Sequence, residues 1–139
     1  LSNRLAVEAL EGIHVKSATD ITGFGLAGHL LEMASSTKAD FSIDTQSLPI
    51  LAGVEEANAA NIQSSLAPEN ERFQSDMTFI KKVDSRIYFD PQTSGGLVIG
   101  VAQADVDKSI SALKANGLMR SSVIGSVLGA SNSPKLIIN

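Results

Sequence analysis

Apolar residues recur at helical spacing near the start of the chain, where Leu5, Ala6, Ala9, Leu10 and Ile13 predict an amphipathic helix ending at Gly12. A short extended segment over 15–19 follows. The polar, glycine-bearing run Asp20-Ile21-Thr22-Gly23-Phe24-Gly25 then leads into a second helical pattern. On that helix Phe24, Ala27, Leu30, Leu31 and Ala34 share the face expected to be buried, and Gly28, His29 and Glu32 fall on the opposite, polar one. Phe41 and Ile43 alternate with Ser42 and Asp44, as in a half-buried strand. A third helix is expected over about 51–60, and the polar stretch 61–75 reads as a long loop. Segments 86–89 and 97–101 predict two strands, the second apolar enough to be buried on both faces. Val106, Ile110 and Leu113 mark a last helix closed by Asn116-Gly117, with Asp105 and Asp107 favouring its dipole at the start. Segments 122–128 and 135–138 make a final pair of strands. Strands and helices are mingled throughout, so a sheet with helices packed on its faces is the natural architecture.

Composition narrows the functions open to this pattern. With 139 residues, 43% of them hydrophobic and 19% charged, the chain is expected to form a single domain over 1–139 with a sizeable core. The net charge is -4 and the eleven Lys and Arg are scattered, so no basic stripe is present to neutralise a phosphate backbone. Nucleic acid is not an expected partner. The absence of cysteine excludes disulfides, thiolate metal sites and a cysteine nucleophile within this chain, and permits a reducing compartment. Apolar runs such as 97–102 fall far short of the roughly 20 residues needed to cross a bilayer, so the expectation is a soluble, cytoplasmic protein without a membrane partner. The chain opens on Leu1, not on methionine, and is in helical register within a few residues. It reads as a domain excised from something longer, although a processed terminus would look the same.

Two segments could carry chemistry. In the first, Asp20 ends a short strand immediately before a turn that opens a helix. The first turn of a helix presents unpaired N–H groups and a partial positive charge, so it can hold a phosphate where glycines such as Gly23 and Gly25 allow close approach. A carboxylate beside a phosphate repels it unless a divalent cation bridges the two. Magnesium suits that role because it takes few protein carboxylates and keeps phosphate oxygens and waters as its other ligands. The structural reading of the same residues is that Asp20 or Thr22 caps the helix and the glycines make the turn. The segment alone leaves both readings open. A lone carboxylate cannot build a magnesium site, so further ligands would come from the nucleotide or from outside the chain.

The second segment is Asp90-Pro91-Gln92-Thr93-Ser94-Gly95-Gly96, leading into an apolar strand. Two adjacent glycines at a strand entrance permit either a sharp bend or close approach of a backbone or ligand. No Gly-x-x-x-x-Gly-Lys pattern is present, nor Gly-x-Gly-x-x-Gly after a strand. His14 and His29 stand apart from any second metal-ligating residue at suitable spacing, and both are expected to be solvated. Ser94 lacks the surroundings of a nucleophile elbow.

Taken together, Thr19-Asp20-Ile21-Thr22-Gly23-Phe24-Gly25-Leu26 and Asp90-Pro91-Gln92-Thr93-Ser94-Gly95-Gly96-Leu97 resemble the paired motifs in the C-terminal half of selenophosphate synthetases, also called selenide, water dikinases. The resemblance extends through Gly28-His29-Leu30-Leu31-Glu32-Met33 and Ser64-Ser65-Leu66-Ala67-Pro68-Glu69-Asn70. It implies an α/β (α+β) domain with a mixed sheet flanked by helices, of the type shared with aminoimidazole ribonucleotide synthetase. It also implies an ATP- and Mg2+-dependent reaction in which selenide, ATP and water give selenophosphate, orthophosphate and AMP. The residue matching Asp20 is a metal ligand in that family; Thr19, Thr22, Gly23 and Gly25 are candidates for contact with the ATP phosphates, and Thr93, Ser94, Gly95 and Gly96 weaker ones. The family's reactive cysteine or selenocysteine, its essential lysine and its other metal-binding aspartates lie in an N-terminal domain that nothing here matches. The resemblance therefore implies a partner in that N-terminal domain, a homodimer of the full-length enzyme, and a chain that is inactive alone and monomeric or weakly associated. Related ATP-dependent synthetases, a hydrogenase-maturation type among them, and a non-catalytic binding module are the alternatives.

Overall fold

The computed structural model describes residues 3–139, and Leu1 lies outside them. Among the described residues six strands form two sheets. A two-stranded antiparallel sheet pairs β1 (Val15–Asp20) with β4 (Leu97–Val101). A four-stranded mixed sheet runs in the order β3 (Met77–Phe79), β6 (Leu136–Ile138), β2 (Ala39–Ile43), β5 (Gly125–Ala130), with β3, β6 and β2 parallel and β5 antiparallel to β2. The helices are α1 (Arg4–Ala9), α2 (Gly25–Thr37), α3 (Val54–Ala59), α4 (Ala67–Asn70), α5 (Arg86–Phe89) and α6 (Val106–Ala115). The architecture is the expected α/β one, a mixed sheet flanked by helices. Among the described residues no helix is long and apolar enough to cross a membrane.

Helix α2 organises the core. Its Ala27, Leu30, Leu31, Met33 and Ala34 are buried, and the helix packs against β1, β2, β6 and α5. Leu30, Tyr88, Phe89, Leu136 and Ile138 are the largest fully buried side chains. Each contributes on the order of 2 kcal/mol of transfer free energy by leaving water. Helix α6 ends as expected. The Gly117 and Leu118 N–H groups bond back to Lys114 and Leu113, a closure that needs the left-handed φ of +85° at Gly117.

Four expectations are corrected by this packing. Segment 86–89 is a helical turn, not a strand. Asp84 accepts the Arg86 backbone N–H and binds its guanidinium at two points, which also holds the Asp84 carboxyl below its usual range. The turn lets the adjacent Tyr88 and Phe89 both enter the core, which strand alternation would forbid. Segment 61–75 is not a featureless loop: it contains α4, followed by a 3-10 helix over Glu71–Asp76. The last strand pair is displaced, with β5 at Gly125–Ala130 and exposed along its whole length. Strand β4 is only half-buried throughout. One side of it faces a cavity of about 660 Å³ whose walls include Leu10, Leu26, Ile50, Leu97, Ile99 and Leu113.

Candidate functional site

The two motifs meet at the end of the small sheet. Asp20 and Leu97 are register partners in the β1–β4 pair, and the pairing continues past the strand ends into the loops. The Ile21 N–H donates to the Gly96 carbonyl at 2.9 Å, the Gly95 N–H to the Ile21 carbonyl at 3.0 Å, and the Gln92 N–H to the Thr22 carbonyl at 3.1 Å. Residues 21–22 and 92–96 are thus one backbone-bonded unit.

Two side chains outside the turn, His29 and Asn70, fix its far side. The Thr22 N–H and hydroxyl both lie 3.1 Å from His29 Nε2. Since Nε2 accepts from a backbone donor, that nitrogen carries no proton, and the ring proton sits on Nδ1, 3.4 Å from Glu32 Oε2. No hydrogen bond of good geometry forms at Nδ1, so the contact is a weak one. The expectation of a solvated His29 is therefore corrected: the residue is buried at 8% exposure. Phe24 departs from expectation in the other sense. It is 44% exposed, and the Arg72 guanidinium, which stacks more closely on Phe73, lies 5.9 Å from its ring centroid. Asn70, buried at 4% exposure, donates to the Gly23 carbonyl at 2.8 Å and the Phe89 carbonyl at 3.0 Å.

The glycines divide into two kinds. Gly25 has a φ of +65°, and a Cβ on it would meet the carbonyl oxygens of Tyr88 at 2.8 Å and Asp90 at 3.1 Å. A Cβ on Gly95 would overlap the Ile21 carbonyl oxygen. These two are required by packing between the motifs. Gly23 and Gly96 are exposed, and a Cβ on either would meet nothing within 4 Å. They leave open space beside the turn.

Asp20 is exposed, and among the described residues no hydrogen bond or ion pair engages its carboxylate. Among the described residues no side chain caps α2, so the capping reading of Asp20 and Thr22 does not hold in this fold. Asp20 thus fits as one ligand of a magnesium ion whose remaining ligands are phosphate oxygens, waters or groups from elsewhere. Among the described residues no set of three His, Asp or Glu side chains could hold a metal by itself. Thr19 points to the opposite face of β1 from Asp20, and the Thr22 hydroxyl is engaged by His29. Thr93 and Ser94 are exposed on the loop, and His14 is exposed as expected.

Asp90, in the lining of the cavity, is partly buried, and that burial raises its carboxyl above the ordinary value. A raised native value means that ionisation opposes folding above the native pKa and costs nothing below the unfolded one, about 3.9. Asp90→Asn is therefore expected to raise the thermal midpoint by a few degrees at most at neutral pH, with the gain vanishing below about pH 3. Paired thermal melts across that range check it.

Sequence reasoning missed His29 and Asn70. The signal for the first was Gly25 and Gly28 three residues apart beside it, since small residues on one helical face mark a close approach. A Cβ at position 28 would lie 2.5 Å from Phe24 Cβ. Asn70 sits in a polar stretch that carries no such mark.

The chain is similar to known proteins in sequence and in fold. The chain is 35% identical over 130 residues to a selenide, water dikinase of Clostridioides difficile (strain 630), covering 91% of this chain and 37% of that protein. It is 34% identical over 139 residues to selenide, water dikinase 2 of Peptoclostridium acidaminophilum, covering 98% and 40%. The chain thus spans about two fifths of the length of these relatives. Among solved structures, HypE, a hydrogenase maturation protein of E. coli, superposes with a TM-score of 0.67 over 98% of this chain and 36% of its own, at 19% identity, which shows a shared fold. Residues 2–135 match the family described as AIR synthase related protein, C-terminal domain, and by that match the chain belongs to this family.

Proposed function

We propose that this chain is the C-terminal domain of a selenide, water dikinase, which converts selenide, ATP and water into selenophosphate, orthophosphate and AMP. The observation that carries the reading is the unengaged Asp20 carboxylate beside the exposed Gly23 and an uncapped helix start, on a turn bonded to the Asp90–Gly96 loop. The two relatives named selenide, water dikinase support the choice of reaction.

Asp20 would hold magnesium, and the positive end of the α2 dipole would lie toward the ATP phosphates, with Gly23 giving them room. Magnesium supplies neutralisation of the phosphate charge when bound. The chain's own part is to keep this carboxylate and this helix start at a fixed spacing. The remaining reactive groups would come from an N-terminal domain, with ATP bound between the two, so the chain alone would turn over no substrate. The full-length enzyme would act as a homodimer in the cytoplasm.

The test is AMP release by the full-length protein with ATP, Mg2+ and selenide, each omitted in turn. The expected result is AMP only when all three are present. AMP that does not depend on selenide would favour another ATP-dependent synthetase of this family, and no nucleotide cleavage at all would favour a binding module.

A further inference from the structure

Five backbone groups of residues 21–23 are engaged, each by a partner from elsewhere in the fold. The Ile21 N–H and carbonyl bond to Gly96 and Gly95, the Thr22 carbonyl to Gln92, the Thr22 N–H to His29, and the Gly23 carbonyl to Asn70. The Asn70 bond is of a different kind from the Gly95, Gly96 and Gln92 ones. It is made by a buried side chain that sits 47 residues further along the sequence. The same amide nitrogen donates its second proton to Phe89, the last residue of α5 and the one before Asp90. Two carbonyl oxygens facing one another repel. A carboxamide between them, with two N–H groups in a fixed fork, turns that repulsion into a defined separation. Asn70 itself is held by α4, whose Ala67 is buried.

We propose that Asn70 is a positioning residue for the magnesium and phosphate site, fixing the Gly23 turn against the entrance of the Asp90–Gly96 loop. The proposal rests on the function proposed above. Its structural half stands apart from that function: without the Asn70 amide, the Gly23 turn opens more often. Losing one net hydrogen bond corresponds to about a tenfold rise in the open population.

The experiment uses the full-length protein with Asn70→Ala and a stability control, Ile138→Val, in the fully buried strand β6. Amide hydrogen exchange over residues 22–27 is measured with and without Mg2+ and ATP, alongside the Mg2+ concentration giving half-maximal AMP release. Exchange in this segment is expected to rise about tenfold in Asn70→Ala and to stay unchanged in Ile138→Val. The half-saturating Mg2+ concentration is expected to rise about tenfold in Asn70→Ala only, with the maximal rate less affected. Should Asn70→Ala fail to fold, both readings are taken on Asn70→Ser, whose single hydroxyl can serve one carbonyl, with smaller shifts in the same directions. A lowered melting point with unchanged local exchange and unchanged Mg2+ dependence would reduce Asn70 to a structural residue and overturn the proposal. If the wild-type enzyme forms AMP without selenide, the proposed reaction fails, while the exchange measurement still decides the role of Asn70.

Discussion

Asp20→Asn in the full-length enzyme is expected to lower AMP formation by at least ~100-fold, since metal-borne charge stabilisation amounts to several kcal/mol and each 1.36 kcal/mol is tenfold in rate. The same variant should keep its thermal stability within about 0.5 kcal/mol of wild type, as surface substitutions away from caps and networks do. The two halves of this expectation have one origin. Asp20 caps nothing and bonds to no neighbour among the described residues, so the fold loses nothing when its charge is removed. Asparagine keeps an oxygen but removes the negative charge that would hold the magnesium ion between this site and a phosphate. Parallel melting curves and rate measurements over a range of Mg2+ concentrations check both halves. Normal turnover in the variant would end the metal role. A stability loss near 1 kcal/mol with normal turnover would point back to capping.

Gly25→Ala is expected to destabilise the protein by about 2–5 kcal/mol, the sum of a left-handed backbone penalty and overpacking. The new methyl group would press on the Tyr88 and Asp90 carbonyl oxygens and the Phe89 carbonyl carbon, all backbone atoms of a segment tied down on both sides. Gly23→Ala is the informative contrast. Its Cβ meets nothing within 4 Å and its φ lies outside the left-handed range, so stability should hold to within about 1 kcal/mol. The methyl would nevertheless stand in the open space beside Asp20, and ATP cleavage should weaken. Chemical denaturation of both variants, paired with activity, separates the glycine that packs from the glycine that gives access. Equal stability losses at the two positions would contradict this division.

Much of the arrangement around Asp20 was legible in the sequence because it is written locally. The strand before Asp20, the glycine-bearing turn and the 3.6-residue spacing of Ala27, Leu30, Leu31 and Ala34 each carry their own signal, and the structure has β1, the turn and α2 in that order. The same local signal misled at 86–89. Alternation of Arg86, Ile87, Tyr88 and Phe89 is compatible with a strand, but burial of the adjacent Tyr88 and Phe89 in one core imposes a helical turn. Phe24 and His29 exchanged their expected environments for a tertiary reason. The face of α2 bearing Gly25, Gly28 and His29 packs against other elements, while Phe24 lies at the rim near Arg72. The three-residue β3 is too short to show a period, and Asn70 is an ordinary polar residue until the fold sets two carbonyls in front of it.

The pairing of Ile21 with Gly95 and Gly96 also bears on how the protein is made. Helix α2 can coil as soon as it is synthesised, whereas the turn that precedes it has no sequence-local partners for the Ile21 backbone and must await a strand from the far side of the chain. Contacts so distant in sequence form late, because a long loop has to close first. A nascent chain still lacking β4 would carry Asp20 without a site, its apolar α2 face seeking cover, and premature termination anywhere before the second motif would leave a product for chaperones and proteases.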